Sequence, residues 1–216
     1  MSAAEPSIRR PRVGVLAIQG AVAEHEEALA AVGAAPCQVR APDGLRGLDA
    51  LVIPGGESTT FGLVAERSGL LAAVREAVGS GLPTLGTCAG LIMLARETTG
   101  GEQTLIGGMD VVVRRNAFGR QPASFEAELD VPAMGEAPVH GIFIRAPWIE
   151  SAGPGVELLA HFGGRAVAAR QDAMLVTAFH PELAGERRFH AWLVERARGR
   201  AGEAERQEGG VRVRAQ

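Results

Sequence analysis

The stretch LPTLGTCAGLIML, residues 82–94, decides the fold of this 216-residue chain. One short apolar run precedes Cys88 and another follows it, with a glycine two residues away on each side of the cysteine. This pattern is typical of a nucleophile elbow, a sharp turn between a strand and a helix that presents a reactive side chain. The unpaired N–H groups at the start of such a helix favour an anion such as a thiolate. A buried cysteine on an ordinary turn is the alternative interpretation.

A candidate base and its orienting carboxylate follow a later apolar run, residues 173–178. The sequence after this run is Phe179-His180-Pro181-Glu182. Because the run predicts a strand, His180 is expected at a strand end, where parallel-sheet enzymes keep their functional groups. Glu182 can hydrogen-bond one imidazole nitrogen and leave the other facing a sulfur. We therefore predict Cys88, His180 and Glu182 as catalytic residues; without the cysteine, a solvated loop histidine would be the simpler interpretation.

A glycine pair follows the apolar run at residues 51–53. The sequence there is Pro54-Gly55-Gly56-Glu57-Ser58, and it ends in residues suited to begin a helix. Two adjacent glycines expose backbone N–H groups, which an oxyanion hole requires. A plain Gly-Gly turn remains the alternative.

These three elements, in this order, resemble the class I glutamine amidotransferases. The closer resemblance is to the family of glutaminase subunits of pyridoxal 5'-phosphate synthase, from about Arg12 to Leu193. Two segments, NAFGRQ (116–121) and FIRAP (143–147), distinguish this family. Other amidotransferases share only the elbow, the glycine loop and His-Pro-Glu. The remaining matching motifs are GVLAIQGAV (14–22) with Glu24 and His25, PGGEST (54–59), GTCAGLI (86–92), SFE (124–126) and FHPEL (179–183).

The resemblance implies a fold and an activity. The fold is α/β, the flavodoxin-like fold of class I glutamine amidotransferases, with a mostly parallel sheet flanked by helices and appended antiparallel hairpins. The activity is hydrolysis of L-glutamine through a cysteine thioester, with ammonia passed to a (β/α)₈-barrel synthase subunit that makes pyridoxal phosphate (vitamin B6). The partner complex is a large hetero-oligomer, and the glutaminase subunit uses no cofactor and no metal.

The resemblance also implies roles for further residues. The oxyanion would be held by the backbone N–H groups of Gly56 and Ala89. Gln19 lies either near the glutamine site and the partner interface, in an activating role, or is merely a polar residue before a helix. For the two arginines, a solvated surface position is the alternative to substrate contact. The residues that match glutamine-contacting positions are Gly55, Gly56, Glu57, Arg115, Ile144 and Arg145.

Composition and charge argue against several kinds of partner and against secretion. The formal net charge of −3 gives no indication of a nucleic-acid or anionic-membrane partner. The two cysteines, Cys37 and Cys88, form no C-x-x-C pair, so no disulfide framework or metal site is predicted. No secretory signal is recognisable near the N-terminus and no apolar run is long enough for a membrane span, so we expect a cytoplasmic protein.

Periodicity predicts one folded domain over residues 12–198, between a disordered leader (1–11) and a disordered polar tail (199–216), and the resemblance implies that this is the glutamine amidotransferase domain. Alternating strands and helices in the first half predict a parallel sheet. We expect helices over residues 21–32, 63–78 with a break near Ser68-Gly69, 89–97 and 185–198. Short strand-like runs between residues 109 and 178 predict hairpins. His25 is expected on a helix face or at a partner contact, and His140, His161, Arg188 and His190 in structural roles.

Three other functions remain open from the sequence. The chain could supply ammonia to a different synthase, in which case the 116–121 segment should be absent. It could be a cysteine hydrolase or chaperone-like protein of the related flavodoxin-like type, which generally lacks His-Pro-Glu after the last strand. It could also be a binding subunit without catalysis, against which the intact Cys88, His180 and Glu182 argue.

Overall fold

A ten-stranded β-sheet forms the centre of the computed structural model, which describes residues 9–115 and 124–213. The strand order is β2-β1-β3-β4-β12-β11-β9-β6-β5, with β10 paired to β11, and β7 and β8 form a separate two-stranded sheet. The strands are β1 (Arg12–Leu16), β2 (Ala35–Val39), β3 (Ala50–Ile53), β4 (Thr84–Thr87), β5 (Ala95–Thr99), β6 (Met109–Arg114), β7 (Ser124–Leu129), β8 (Val139–Ile144), β9 (Trp148–Ala152), β10 (Glu157–Phe162), β11 (Arg165–Gln171) and β12 (Met174–Thr177). The helices are α1 (Val22–Ala31), α2 (Ser58–Arg67), α3 (Leu70–Gly79), α4 (Ala89–Leu94) and α5 (Arg188–Val213).

The strands that carry the candidate site are parallel. β2, β1, β3, β4 and β12 pair in parallel, and every residue of β3, β4 and β12 is buried. Burial on both faces explains their near-continuous apolar sequence, because helices flank such a sheet. The antiparallel pairs follow in the second half of the chain, at β9, β10 and β11 and at the β7–β8 hairpin. The predicted fold class is confirmed.

A chain of phenylalanine rings attaches the two-stranded sheet to the rest of the core. Phe125 of β7 stacks on Phe143 of β8 with ring centroids 4.6 Å apart, and Phe143 lies 5.5 Å from Phe179. Phe179 in turn meets Phe189 of α5 edge-on at 5.6 Å. Because Phe179 directly precedes His180, this aromatic packing fixes the end of β8 beside the candidate base.

The second and third predicted helices differ in how well they match the structure. The predicted break near Ser68-Gly69 is confirmed, because Gly69 has a φ of 72° and separates α2 from α3. The helix predicted over residues 89–97 ends at Leu94, so its last three residues were wrongly assigned. Ala95 has extended backbone angles and begins β5, which pairs with β6. The β-branched residues Thr98 and Thr99 favour the strand that pairing requires.

The last helix is longer than predicted at its C-terminal end. α5 begins at Arg188, after Gly185 with a φ of 67°, and continues to Val213 rather than ending at Arg198. The helix therefore extends into the segment predicted to be a disordered tail (199–216), and the disorder of that tail stays a prediction. Residues 201–208 are mostly Ala, Glu, Arg and Gln, whose high helix propensity favours continuation of the helix.

Some sequence predictions fall outside the described residues. The NAFGRQ segment, residues 116–121, lies there, as does most of the predicted leader. The domain limits as a whole stay a prediction. Among the helices that the structure describes, none combines the length and the apolar composition needed to span a bilayer.

Candidate active site

Cys88 lies at the turn between β4 and α4, as an elbow requires. Its φ of 50° and ψ of −101° are unusual for a residue with a side chain, and its N–H donates to the Thr177 carbonyl at 2.7 Å. Backbone outliers of this kind persist where the surrounding structure holds them, often at functional sites. The side chain is 6% exposed. The sharp turn therefore presents the sulfur just beyond the ends of two parallel strands.

Gly90 allows this turn to pack against the neighbouring strand. A Cβ added to Gly90 would lie 2.1 Å from the carbonyl oxygen of Ile53, at the end of β3. No side chain fits at that distance. The glycine that marks the elbow in the sequence is thus required by a close approach of two backbone segments.

His180 and Glu182 meet Cys88 from the end of β12. His180 Nδ1 lies 2.7 Å from Glu182 Oε1, and the Cys88 side chain is close enough to the same imidazole to raise its pKa. The His180 N–H donates to the Ile142 carbonyl at 2.8 Å, which ties this loop to β8. His180 and Glu182 are 6% and 7% exposed. The structure therefore brings the three predicted residues together in one nearly buried cluster.

The electrostatics of the cluster favour a charged imidazole. Burial alone lowers the pKa of His180, but its interactions with Cys88 and Glu182 outweigh that effect and raise the pKa well above its ordinary value. Burial raises the pKa of Glu182, yet the hydrogen bond from His180 and the nearby His25 leave it lowered overall. A proton therefore stays on His180 while Glu182 is ionised.

The Gly55-Gly56 loop lies directly against the imidazole. A Cβ on Gly55 would lie 2.3 Å from His180 Cε1, and a Cβ on Gly20 would lie 1.9 Å from the Gly55 carbonyl oxygen. The Gln19 side-chain amide donates to the carbonyl of Glu57. The loop is thus enclosed by the end of β1 on one side and by His180 on the other, and Gln19 is one of the residues that hold it.

Glu57 and Arg115 are neighbours beside this loop. Glu57 caps α2 by accepting hydrogen bonds from the Thr59 and Thr60 N–H groups at 3.1 and 2.8 Å, and from the Thr60 hydroxyl at 2.7 Å. The bonds from Thr60 lower the pKa of Glu57 to about 2. Arg115 Nη2 lies 3.7 Å from Glu57 Oε1 and donates to Thr59 Oγ1 at 3.0 Å. Arg115 is therefore not an isolated surface arginine, because it contacts both Glu57 and Thr59.

Ile144 ends β8 close to the sulfur, and Arg145 directly follows the strand. The carbonyl oxygen of Ile144 lies 3.9 Å from Cys88 Sγ. Arg145 is exposed and has a φ of 45°, which is uncommon for a residue with a side chain. The backbone therefore adopts an unusual conformation directly after the residue whose carbonyl faces Cys88.

Three polar residues behind Glu182 were not recognised as part of the site from the sequence. His25 of α1 is fully buried, with Nδ1 2.9 Å from His190 Nε2 and Nε2 3.1 Å from Thr87 Oγ1. Its Nε2 also lies 3.5 Å from Glu182 Oε1. Of the two positions expected for His25, the helix face is the one that the structure shows, and that face is buried. His25 and Thr87 stand within motifs that carry the resemblance, but no spacing links residue 25 to residue 190.

The arrangement is suited to nucleophilic attack on a carbonyl carbon. It combines a sulfur nucleophile, a protonated imidazole that can give its proton to a leaving group, and a carboxylate that orients the imidazole. Glu57 and Arg115 form an ion pair at the start of α2, next in sequence to the Gly55-Gly56 loop that packs against His180. Among the described residues, no group of three or more His, Cys, Asp or Glu side chains could hold a metal ion.

Comparison with known proteins places the chain among glutamine amidotransferases. The sequence profile of the SNO glutamine amidotransferase family matches residues 15–198. The chain is 54% identical over 187 residues to a pyridoxal 5'-phosphate synthase subunit PdxT of Frankia alni, covering 86% of this chain and 94% of that protein. It is 52% identical over 191 residues to the subunit of the same name from Streptomyces avermitilis, covering 87% of this chain and 94% of that protein.

Solved structures agree at the level of fold. A crystal structure of a glutamine amidotransferase that is 47% identical superposes with a TM-score of 0.81, covering 86% of this chain and 98% of that one. A glutamine amidotransferase from Thermotoga maritima is only 12% identical, with a TM-score of 0.56 over 88% of this chain and 96% of that one. The second likeness shows the shared fold alone.

Proposed function

We propose, because this chain belongs to the SNO glutamine amidotransferase family, that it is the glutaminase subunit of a pyridoxal 5'-phosphate synthase. It hydrolyses L-glutamine to L-glutamate and ammonia, and the ammonia is used by a synthase subunit. The observation that carries the proposal is the 54% identity to a PdxT subunit over 94% of that protein's length. The cluster of Cys88, His180 and Glu182 supports it, because the reaction needs a nucleophile and a proton donor.

The mechanism follows from the protonation of the cluster. The Cys88 thiolate attacks the γ-carboxamide carbon of glutamine and forms a tetrahedral adduct. His180 gives its proton to the leaving nitrogen, so ammonia departs and a thioester remains. His180 then takes a proton from a water molecule, which attacks the thioester and releases glutamate and the thiolate. Glu182 orients His180 throughout.

The oxyanion of each adduct would be held by the backbone N–H groups of Gly56 and Ala89. Ala89 follows the nucleophile, and Gly56 belongs to the loop packed against His180. An added Cβ at Gly55 would lie 2.3 Å from the ring, which supports a loop close to the reacting atoms.

Charge complementarity supports a free amino acid as the substrate. Glutamine presents one ammonium and one carboxylate group. Glu57 stays ionised at neutral pH, because the hydrogen bonds from Thr60 hold its pKa at about 2, and it can meet the ammonium group. The two arginines can meet the carboxylate group. We assign the remaining contacts to the backbone of Gly55 and Ile144.

The synthase partner is proposed to be a (β/α)₈-barrel subunit in a large hetero-oligomer, in the cytoplasm. Free ammonia would waste glutamine, so activity should depend on that partner. Gln19 donates to the carbonyl of Glu57, next to Gly56, and so offers a path from the partner to the loop. When the partner docks and shifts Gln19, the Gly55–Gly56 peptide can rotate, because glycine tolerates a wide range of backbone angles.

The test is glutamine hydrolysis by the pure subunit during titration with the pyridoxal phosphate synthase subunit. We expect little hydrolysis alone and a saturable increase with the partner. Cys88→Ala should abolish the activity, whereas Cys37→Ala should leave it unchanged. Activity that does not change with the partner would refute the gating, and activation only by a synthase of another pathway would favour the alternative, an amidotransferase subunit of that synthase.

A glutamine-derived electrophile tests the nucleophile separately. It should modify Cys88 and spare Cys37, and modification should track the loss of hydrolysis. Labelling of Cys37 alone, with activity lost, would overturn the assignment of Cys88.

A further inference from the structure

Glu182 is a buried carboxylate with few hydrogen bonds. Its Oε1 accepts from His180 Nδ1 at 2.7 Å, and its Oε2 is buried and has no hydrogen-bond partner among the described residues. A buried anion needs compensating charges or dipoles, since water no longer solvates it. The imidazole of His25 is also close, with Nε2 3.5 Å from Oε1.

The His25 imidazole can face Glu182 in either of two tautomers. Burial lowers the pKa of His25, and burial together with His25 lowers the pKa of His190 to about 4, so both rings are neutral at pH 7. A neutral imidazole carries one N–H. The 2.9 Å contact between His25 Nδ1 and His190 Nε2 therefore contains one proton, which belongs to one ring or the other.

The negative charge on Glu182 decides which of the two His25 tautomers is favoured. If His190 Nε2–H donates to His25 Nδ1, the proton of His25 stands on Nε2 and points to Glu182 and to Thr87 Oγ1, 3.1 Å away. The reverse arrangement would turn the lone pair of Nε2 towards a carboxylate. The first arrangement is electrostatically favoured.

We propose that His25 and His190 are positioning residues: His25 holds the Glu182 carboxylate through Nε2–H, and His190 fixes the His25 tautomer that makes this possible. The inference rests on the proposed role of Glu182 in orienting His180. It extends the cluster from three residues to five, joining α1 and α5 behind the nucleophile. Both added histidines are fully buried, so neither can meet substrate.

The titratable groups that face these residues are few. Glu182 faces His180 and His25, and His180 also faces Cys88. His25 faces Glu182, His180, His190 and, on its own helix, Glu24. His190 faces His25, Glu182 and Glu186. Loss of the His25 donor should therefore raise the pKa of Glu182, weaken its support of the His180 charge, and destabilise the thiolate beside it.

The test compares His25→Gln with His25→Asn in a full-length Cys37→Ser background. A Gln amide can place an N–H near the position of Nε2, whereas the shorter Asn amide reaches only the position of Nδ1. The readout is the pH dependence of Cys88 alkylation by iodoacetamide. We expect the midpoint of the Asn variant to move up, by less than the pH unit or so that one lost hydrogen bond to a charged group costs Glu182 itself, because the effect reaches Cys88 through His180. The Gln variant should stay near the parent.

Equal profiles for both variants, shifted or unshifted, would overturn the proposal. His190→Leu should shift the midpoint in the same direction by a smaller amount, because the His25 tautomer is then no longer fixed. A measurement on the unaltered chain remains decisive if the variants do not fold: ring ¹⁵N chemical shifts should show the His25 proton on Nε2, and a proton on Nδ1 would refute the arrangement. Alkylation needs neither glutamine nor a partner, so its outcome is independent of the proposed function.

Discussion

Gly55→Ala tests how closely the glycine loop supports the imidazole. The added Cβ would lie 2.3 Å from His180 Cε1, whereas ordinary contacts begin at 3.4 Å, so loop and ring must separate by about 1.1 Å. The ring is held at Nδ1 by Glu182 and its backbone by the Ile142 carbonyl, so relaxation displaces either the base or the oxyanion loop. A misplacement of about 1 Å can cost about 100-fold in rate, or about 2.7 kcal/mol of barrier.

The assay is steady-state glutamine hydrolysis in the presence of saturating synthase partner. We expect a loss of about 100-fold in kcat, and any fall in the thermal unfolding midpoint would come from the contact with His180 and not from backbone strain, since Gly55 has no positive φ. Gly79→Ala is the matched control, because its Cβ would meet nothing within 4 Å and it lies at the end of α3. A Gly55→Ala enzyme within threefold of the parent kcat would refute the close support of His180 by the loop.

The remaining predictions concern stability. Gly90→Ala places a Cβ 2.1 Å from the backbone oxygen of Ile53. Because neither backbone can move freely, urea denaturation should show a free energy of unfolding lower by about 1–3 kcal/mol. A variant as stable as Gly79→Ala would contradict the close packing. Glu57→Gln should lower the unfolding midpoint at pH 7 by removing the anion at the start of α2. The pKa of Glu57 is depressed from 4.5 to about 2, so this contribution is complete above pH 4.5 and disappears as the pH falls towards 2. Thermal scans from pH 7 to pH 2.5 should show the difference shrinking in that window, and a constant difference would exclude the ionised cap as its source.

Local sequence pattern was sufficient for the parts of the site built from contiguous residues. The elbow around Cys88 and the His180–Glu182 pair each follow a short apolar strand, and parallel strands bring their carboxyl ends to one edge of a sheet. Periodicity also located the break at Gly69, because glycine readily adopts the positive φ that a sharp turn requires. The same local reasoning misplaced the end of α4, where pairing of β5 with β6 overrode the apolar pattern.

Tertiary structure alone decided which distant residues support the cluster. The amino-acid sequence by itself determined the α/β fold class, through its alternation of strand and helix patterns. It also placed the glycine loop, the nucleophile and the base each directly after a strand, since those signals lie within a few residues. The pairing of His25 with His190, 165 positions apart, and the contact of Gln19 with Glu57 depend on how α1, α5 and the end of β1 pack. The role of the buried His25 imidazole depends on which group lies beside it, and only the folded chain brings Glu182 to that position.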